Sequence, residues 1–269
     1  MKRRDAILAT AATLASIPGL AVITPGLAEM SPKWILQLEE ALAKQLSNIL
    51  LLGEIHGTNE IPALAWEAVQ YWLAKRSRVV LGLEIDNSEQ RKVAAYIGGD
   101  IIDDVAASED LLRGSFWSAP SGRDGRASLA ILNILKACRS QILEKNAPIS
   151  VRTFGGLGHL LAHKHLVDGY DPSTTSIVVL TGDRHAQRSS STIGSTFEKG
   201  VSTAVKISPT AGSAWVCVSE ASCSPVTLFP RSVVDTCRSV PCVVPATLTS
   251  GFDFELLIGR VSPSRPALD

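Results

Sequence analysis

Apolar positions along the chain keep two alternating rhythms. Ile35, Leu38, Leu42 and Leu46 recur at helical spacing behind Ser31 and Pro32, which predicts a helix from Lys33 to about Leu46. A continuous apolar run, Ile49 to Leu52, then reads as a strand buried on both faces. Ile61, Leu64, Ala65, Ala68 and Trp72 return to helical spacing, with Thr58 or Asn59 as cap. Arg78 to Glu84 is a second buried strand. Helices follow over Ser88 to Tyr96, where Gly98-Gly99 breaks the pattern, over 101–112, and over Ala127 to Glu144. Between the last two lies a Gly-, Ser- and Pro-containing loop, Arg113 to Arg126. Ile149 to Phe154 and Ser176 to Thr181 are further strands, separated by a helix holding His159, His163 and His165.

Strands alternating with helices predict an α/β fold, a mostly parallel central sheet with helices on both faces. After Val201 the rhythm changes to short strands with Thr, Ser, Pro and cysteine, ending in a run from Phe252 to Ile258. That C-terminal region is expected to add edge strands stapled by disulfides.

One pattern occurs twice. Ser47 to Leu52 runs into Gly53-Glu54-Ile55-His56-Gly57, and Ser176 to Thr181 runs into Gly182-Asp183-Arg184-His185-Ala186. Each is a buried strand, a glycine, an acidic residue, one further residue, histidine and a small residue. Ligands in open α/β sheets sit beyond the carboxyl ends of the strands, so two carboxylate–histidine pairs belong on one rim. The second strand adds Glu84 at its end. Alone, a glycine at a strand end is turn chemistry; the matched pair points to a site.

The N-terminus has the form of an export signal. Lys2-Arg3-Arg4 precede an apolar stretch from Ala6 to Val22, and Pro25-Gly26-Leu27-Ala28 offers a cleavage point. Residues 1–28 thus read as a signal peptide of Sec or twin-arginine type, and 29–269 as one α/β domain, periplasmic or secreted. No further apolar span reaches membrane length, so no stable span remains after signal removal. Charge is balanced, 26 basic against 26 acidic residues, with no basic stripe for nucleic acid. The expected partner is a small-molecule or peptide substrate.

An oxidising address makes disulfides the default for Cys217, Cys223, Cys237 and Cys242. Three pairings are open; local loops, Cys217–Cys223 and Cys237–Cys242, are favoured. A four-thiolate zinc site lacks the CxxC spacing. Cys138 lies on an apolar helix face with Leu129, Leu132 and Leu135 and reads as a packed free thiol.

The chemistry these residues support is hydrolysis. His56 or His185 can serve as base for water, Glu54 and Glu84 as orienting carboxylates or acid, and Arg126 or Arg184 as partner of a developing oxyanion. The same His56, Glu84, His185 and Glu54 can form a divalent metal set for Zn, Mn or Co. His159 and His163 share a helix face and, with His165, offer further imidazoles. A metal or haem carrier without turnover is therefore the alternative. Phe116 and Trp117 suit either a pocket mouth or the core, and Asp124 suits a cap on the helix behind Arg126.

The run Leu-Gly-Glu54-Ile-His56-Gly, then Leu-Gly-Leu-Glu84, then Gly-Asp-Arg-His185-Ala resembles the erythromycin esterase/ChaN-like superfamily and, through its G-x-x-H motifs, the related TIKI/TraB group. These motifs bracket about half the chain. Asp124-Gly125-Arg126 and the terminal Ser-Pro-x-x-Pro-Ala are also similar to exported members. The resemblance implies an α/β fold with the motifs on one rim, and carries over to Glu54, His56, Glu84 and His185. It implies lactone opening through histidine- and glutamate-activated water in esterase-like members, metal-dependent proteolysis in TIKI-like ones, and haem binding in ChaN-like ones. The chain departs from it in two respects. Only Ile55 separates Glu54 from His56, and Tyr71, Tyr96 and Tyr170 match no haem-ligand motif.

Overall fold

Seven strands lie side by side in the order β3-β2-β4-β1-β5-β8-β7, and an eighth, β6, pairs with β5 beyond that path. They are β1 (Ile49–Glu54), β2 (Arg78–Asp86), β3 (Ile149–Gly155), β4 (Thr175–Gly182), β5 (Ser202–Ser219), β6 (Ser222–Thr227), β7 (Cys242–Pro245) and β8 (Phe254–Val261). The structure is a computed structural model that describes residues 32–42, 46–75, 78–118, 124–219, 222–228, 237 and 239–268. The signal peptide expected over 1–28 and Arg123 lie outside the described residues. No described helix is long and apolar enough to cross a membrane.

All pairings among β1, β2, β3, β4, β5 and β8 are parallel. The antiparallel pairs are β7 on β8 and β6 on β5. The expected sheet, and the edge supplied by the C-terminal region, are both present. The same region also sends β5 and β8 into the parallel interior, with β5 directly beside β1. Short strands were expected there, yet β5 is 18 residues long. Its first half pairs with β1 and its second half projects past β1 to pair with β6.

Strand alternation splits the apolar residues between two cores. Leu50 and Leu52 of β1, Val79, Leu81 and Leu83 of β2, and Val178 and Leu180 of β4 face one layer. That layer is built from α1 (Lys33–Leu42), α2 (Glu60–Lys75), α3 (Gln90–Gly98), α4 (Asp104–Leu112), α5 (Ser115–Ser118) and α6 (Leu129–Lys145). Ile49 and Leu51, Val80, and Ile177 and Val179 face the other layer, with α7 (His159–Val167) and the short α8 (Asp183–Ala186). Both faces of β1 and β4 are thus covered, which is why their sequences are unbroken apolar runs.

Of the two readings of Phe116 and Trp117, the core one holds: they are 5% and 1% exposed and stacked edge to face. Two expectations are corrected. Asp124 is not the cap of α6: Ser128 is, its hydroxyl accepting from the Ile131 amide. The helix expected from 101 starts at Asp104, capped by Asp103. Cys138 is a buried free thiol as expected, and desolvation pushes it up to about 12.

The bridges Cys217–Cys223 and Cys237–Cys242 are both formed. The first joins residues directly opposed in the β5–β6 ladder. Closing loops this short restricts the unfolded chain by about 2 kcal/mol each. Reduction is expected to lower the melting temperature by several degrees. Mass spectrometry of the non-reduced, alkylated protein should find only Cys138 unbridged; five labelled thiols would contradict the fold of the C-terminal region.

Candidate active site

Adjacent parallel strands place the motifs on one rim. β1 and β4 end in register, Glu54 opposite Gly182. β2 flanks β4 on its other side, so Glu84 comes up beside Thr181. Three consecutive strands, β2-β4-β1, therefore deliver Glu84, His185, Glu54 and His56 to one place.

Glu84 is the hub. Its Oε2 accepts from the Thr181 hydroxyl (2.5 Å) and from the Gly182 amide (2.9 Å). His56 Nε2 lies 3.9 Å from the same carboxylate, His185 Nε2 3.8 Å and an Arg126 terminal nitrogen 3.7 Å. Burial alone would raise the Glu84 pKa; His56, the Thr181 and Gly182 donors and His185 reverse this and hold it below the usual carboxylate range.

His56 sits between two carboxylates. Its Nδ1 is 2.9 Å from Oε1 of Glu54, which is itself buried. Burial alone would lower the imidazole pKa. Glu54, then Glu84 and Asp124, outweigh it and push His56 up to about 9. The ring lies over the backbone of Gly182, where an added Cβ would stand 2.9 Å from Nε2. The second motif's glycine thus makes room for the first motif's histidine.

Arg126 comes from the loop before α6. Its Nε donates to both oxygens of Asp124, each at 3.0 Å. Burial opposes its charge, but Asp124, Glu84 and Asp86 keep the guanidinium protonated. Glu54, Glu84 and Arg126 line a small cavity with Leu83, Ile85, Ile131 and Leu180. Its ≈10 Å³ is about the size needed for one water.

The five residues expected at the site are thus together. Other expected participants are not. Arg184 is exposed on α8, and the Asp183 carbonyl accepts the Gln187 amide in a helical turn. His163 bonds Thr196 and packs on Phe197, while His165 lies 3.2 Å from the Gln90 side chain. These two imidazoles of α7 therefore serve packing contacts of their own. Among the described residues, no group of three or more His, Cys, Asp or Glu side chains is placed to hold a metal ion. His56 turns Nδ1 to Glu54 and Nε2 toward Glu84.

Thr181, Gly182 and Asp124 join the site without having been singled out for these contacts. Thr181 and Gly182 had a signal: the residues at the end of a strand next to the one bearing Glu84 are its nearest neighbours. Asp124 had none, because its partner Arg126 is only two residues away and such a pair also suits a turn.

In its fold the chain resembles two solved structures. One is a succinoglycan biosynthesis protein, at TM-score 0.57 and 10% identity, covering 85% of this chain and 91% of the other. The second is a Bacillus cereus protein, at TM-score 0.53 and 12% identity, covering 86% and 92%. At such identities the likeness concerns architecture alone. No protein-family model matches the chain, and no curated protein does.

The raised His56 pKa has a stability consequence. The folded value, about 9, lies above the ordinary 6.5, so the protonated ring favours the folded state. That contribution is complete below about pH 6.5 and is lost as pH rises through about 9, with a size of about 3 kcal/mol. Unfolding free energy measured from pH 6.5 to 9.5 should fall, and His56→Gln should flatten the slope. An equal slope in the variant would show that His56 is not held in its charged form.

Proposed function

We propose that this rim hydrolyses an ester, lactone or peptide bond in an exported protein. The observation that carries the proposal is Glu84 held ionised among two histidines and an arginine at the end of three adjacent strands. Two local disulfides and the signal-like N-terminus support export.

The two histidines divide the work. His56 holds its proton at neutral pH, so it donates. His185 has a largely exposed side chain with Nε2 toward Glu84, within reach of a water and a substrate arriving from solvent. His185 takes a proton as water attacks the carbonyl carbon. Arg126 and the His56 cation stabilise the oxyanion that forms. On collapse the carbon–oxygen or carbon–nitrogen bond breaks, and His56 gives its proton to the leaving group. Proton exchange with solvent restores both rings. Glu54 keeps the His56 ring in orientation throughout, as the carboxylate of a triad does. Every step uses groups of the chain itself.

The carrier alternative draws less support. Two of the α7 imidazoles that it would recruit are bonded to Thr196 and Gln90.

The test is a panel of ester, lactone and peptide substrates, each with EDTA or with added Zn, Mn or Co. Turnover is expected to survive EDTA. His185→Ala and Glu84→Gln should each lower kcat/KM by roughly 10²–10⁴, and His56→Gln by about 10²–10³. Activity indifferent to all three substitutions, or none on any substrate, sinks the proposal for these classes. A Soret band on haem addition, lost in His185→Ala, would favour the carrier.

A further inference from the structure

The C-terminal segment after β8 lies on the site side of the sheet and pairs with two loops at once. On one side Thr58 forms an antiparallel bridge with Pro263, and the Asn59 amide donates to the Ser262 carbonyl at 3.0 Å. On the other, Ser128 bridges Pro266, the Leu129 amide donates to the Arg265 carbonyl, and the Ala267 amide to the Ala127 carbonyl, both at 2.8 Å. The first loop follows His56; the second follows Arg126.

Ser264 stands between them and is 1% exposed. Its amide donates to the Gly57 carbonyl at 2.8 Å, and its hydroxyl accepts from the Ala130 amide at 3.0 Å. One residue thus bonds the neighbour of His56 and the first turn of the helix behind Arg126. Polar side chains tie down the start of the segment as well. Glu60 accepts from the Ser262 amide at 2.8 Å and from its hydroxyl at 2.7 Å. The Asn59 side-chain amide donates to Ser262 and Pro263.

Space at the junction is closed from two further sides. Gly57 has φ +76°, and an added Cβ would meet the Trp215 carbonyl at 2.2 Å. Gly125, at φ +103°, presses on the Gly57 amide nitrogen, 2.3 Å from where its own Cβ would be. Neither loop can shift without the other while the segment is in place.

We propose that residues 262–268 are a strap that positions the catalytic His56 and Arg126 relative to each other, with Ser264 as its positioning residue. This rests on the assignment of His56 and Arg126 to the reaction, but its test needs no substrate. The terminal Ser-Pro-x-x-Pro-Ala pattern then has a physical reason. The prolines at 263 and 266 occupy bridge positions where the flanking residues make the backbone bonds and no proline amide is needed, and the serine between them supplies both a donor and an acceptor.

The experiment is ¹⁵N NMR of the mature protein and of Ser264→Ala, well below both melting temperatures. The variant keeps the amide bond to Gly57 and loses only the hydroxyl, so it is expected to fold. Exchange of the Ala130 amide should accelerate by about tenfold or more. The Arg126 Nε–H and the His56 ring signals should shift or broaden, while those of Tyr96 on α3 and of Cys138, two turns further along α6, stay put. Ser264→Thr, which retains a hydroxyl, should return the Arg126 signal toward its original position. If Ser264→Ala lowers the melting temperature but leaves His56 and Arg126 unchanged, the segment is a stabiliser only and the proposal is overturned. Because the signals are read without a substrate, a failure of the hydrolysis panel leaves the outcome for the strap unchanged.

Discussion

A carboxylate buried at the end of a parallel strand costs several kcal/mol unless donors and cations surround it, and the arrangement at Glu84 answers that cost from several directions. Thr181 and Gly182 of the neighbouring strand supply hydrogen bonds, His56 and Arg126 supply charge, and the His185 ring stands 3.8 Å away. None of these groups is adjacent to Glu84 in sequence. They meet it only because β4 lies between β2 and β1, a strand order that brings the chain back across itself twice. The topology and the electrostatics are therefore one constraint seen at two scales. A sheet in which β4 did not lie beside β2 would separate Glu84 from the Thr181 hydroxyl and the Gly182 amide.

Backbone packing carries the same demand. Gly182 is bare where His56 lies over it, and Gly57 is bare where the Trp215 carbonyl and Gly125 close in. At Gly57 the positive φ makes a side chain strained whatever the space. At Gly182 the obstacle is contact alone. The two glycines thus have different reasons: one is set by backbone conformation, the other by a histidine that needs the volume.

Much of this was legible in the chain. Strands covered on both faces must be apolar at every position, so β1 and β4 announced themselves without alternation, and the residues at their ends could be assigned to one rim. Glu84 followed from the same logic. Local disulfides were legible because short spacing and an expected export signal leave few other uses for paired cysteines. What could not be read depends on partners distant in sequence. Phe116 and Trp117 sit in a stretch with turn composition, and only the layer of helices above them shows that they are core. Asp124 satisfies the rules for a helix cap, and so does Ser128; the loop's approach to Gly57 decides between them. The interior position of β5 was hidden because it carries Lys206, Ser208 and Pro209 inside an otherwise apolar run. The α7 histidines read as candidate ligands until Gln90, Thr196 and Phe197 accounted for two of them.

The repeated motif invites the idea that its two histidines are equivalent, and the physics of their surroundings argues otherwise. His56 follows β1 where a buried carboxylate, Glu54, lies two residues back and bonds its Nδ1. The corresponding acid beside His185, Asp183, begins the turn of α8, where its carbonyl accepts the Gln187 amide. One imidazole is therefore clamped between Glu54 and Glu84 and keeps a proton to about pH 9, while the other stands on a short helix with a largely exposed side chain and approaches Glu84 from solvent. Hydrolysis needs one group to take a proton and another to give one. In the proposed reaction, two copies of the same short sequence divide these roles because their chains part after the glycine. The first continues as strand and keeps its acid buried against the ring; the second turns at once into helix and carries its ring out to solvent.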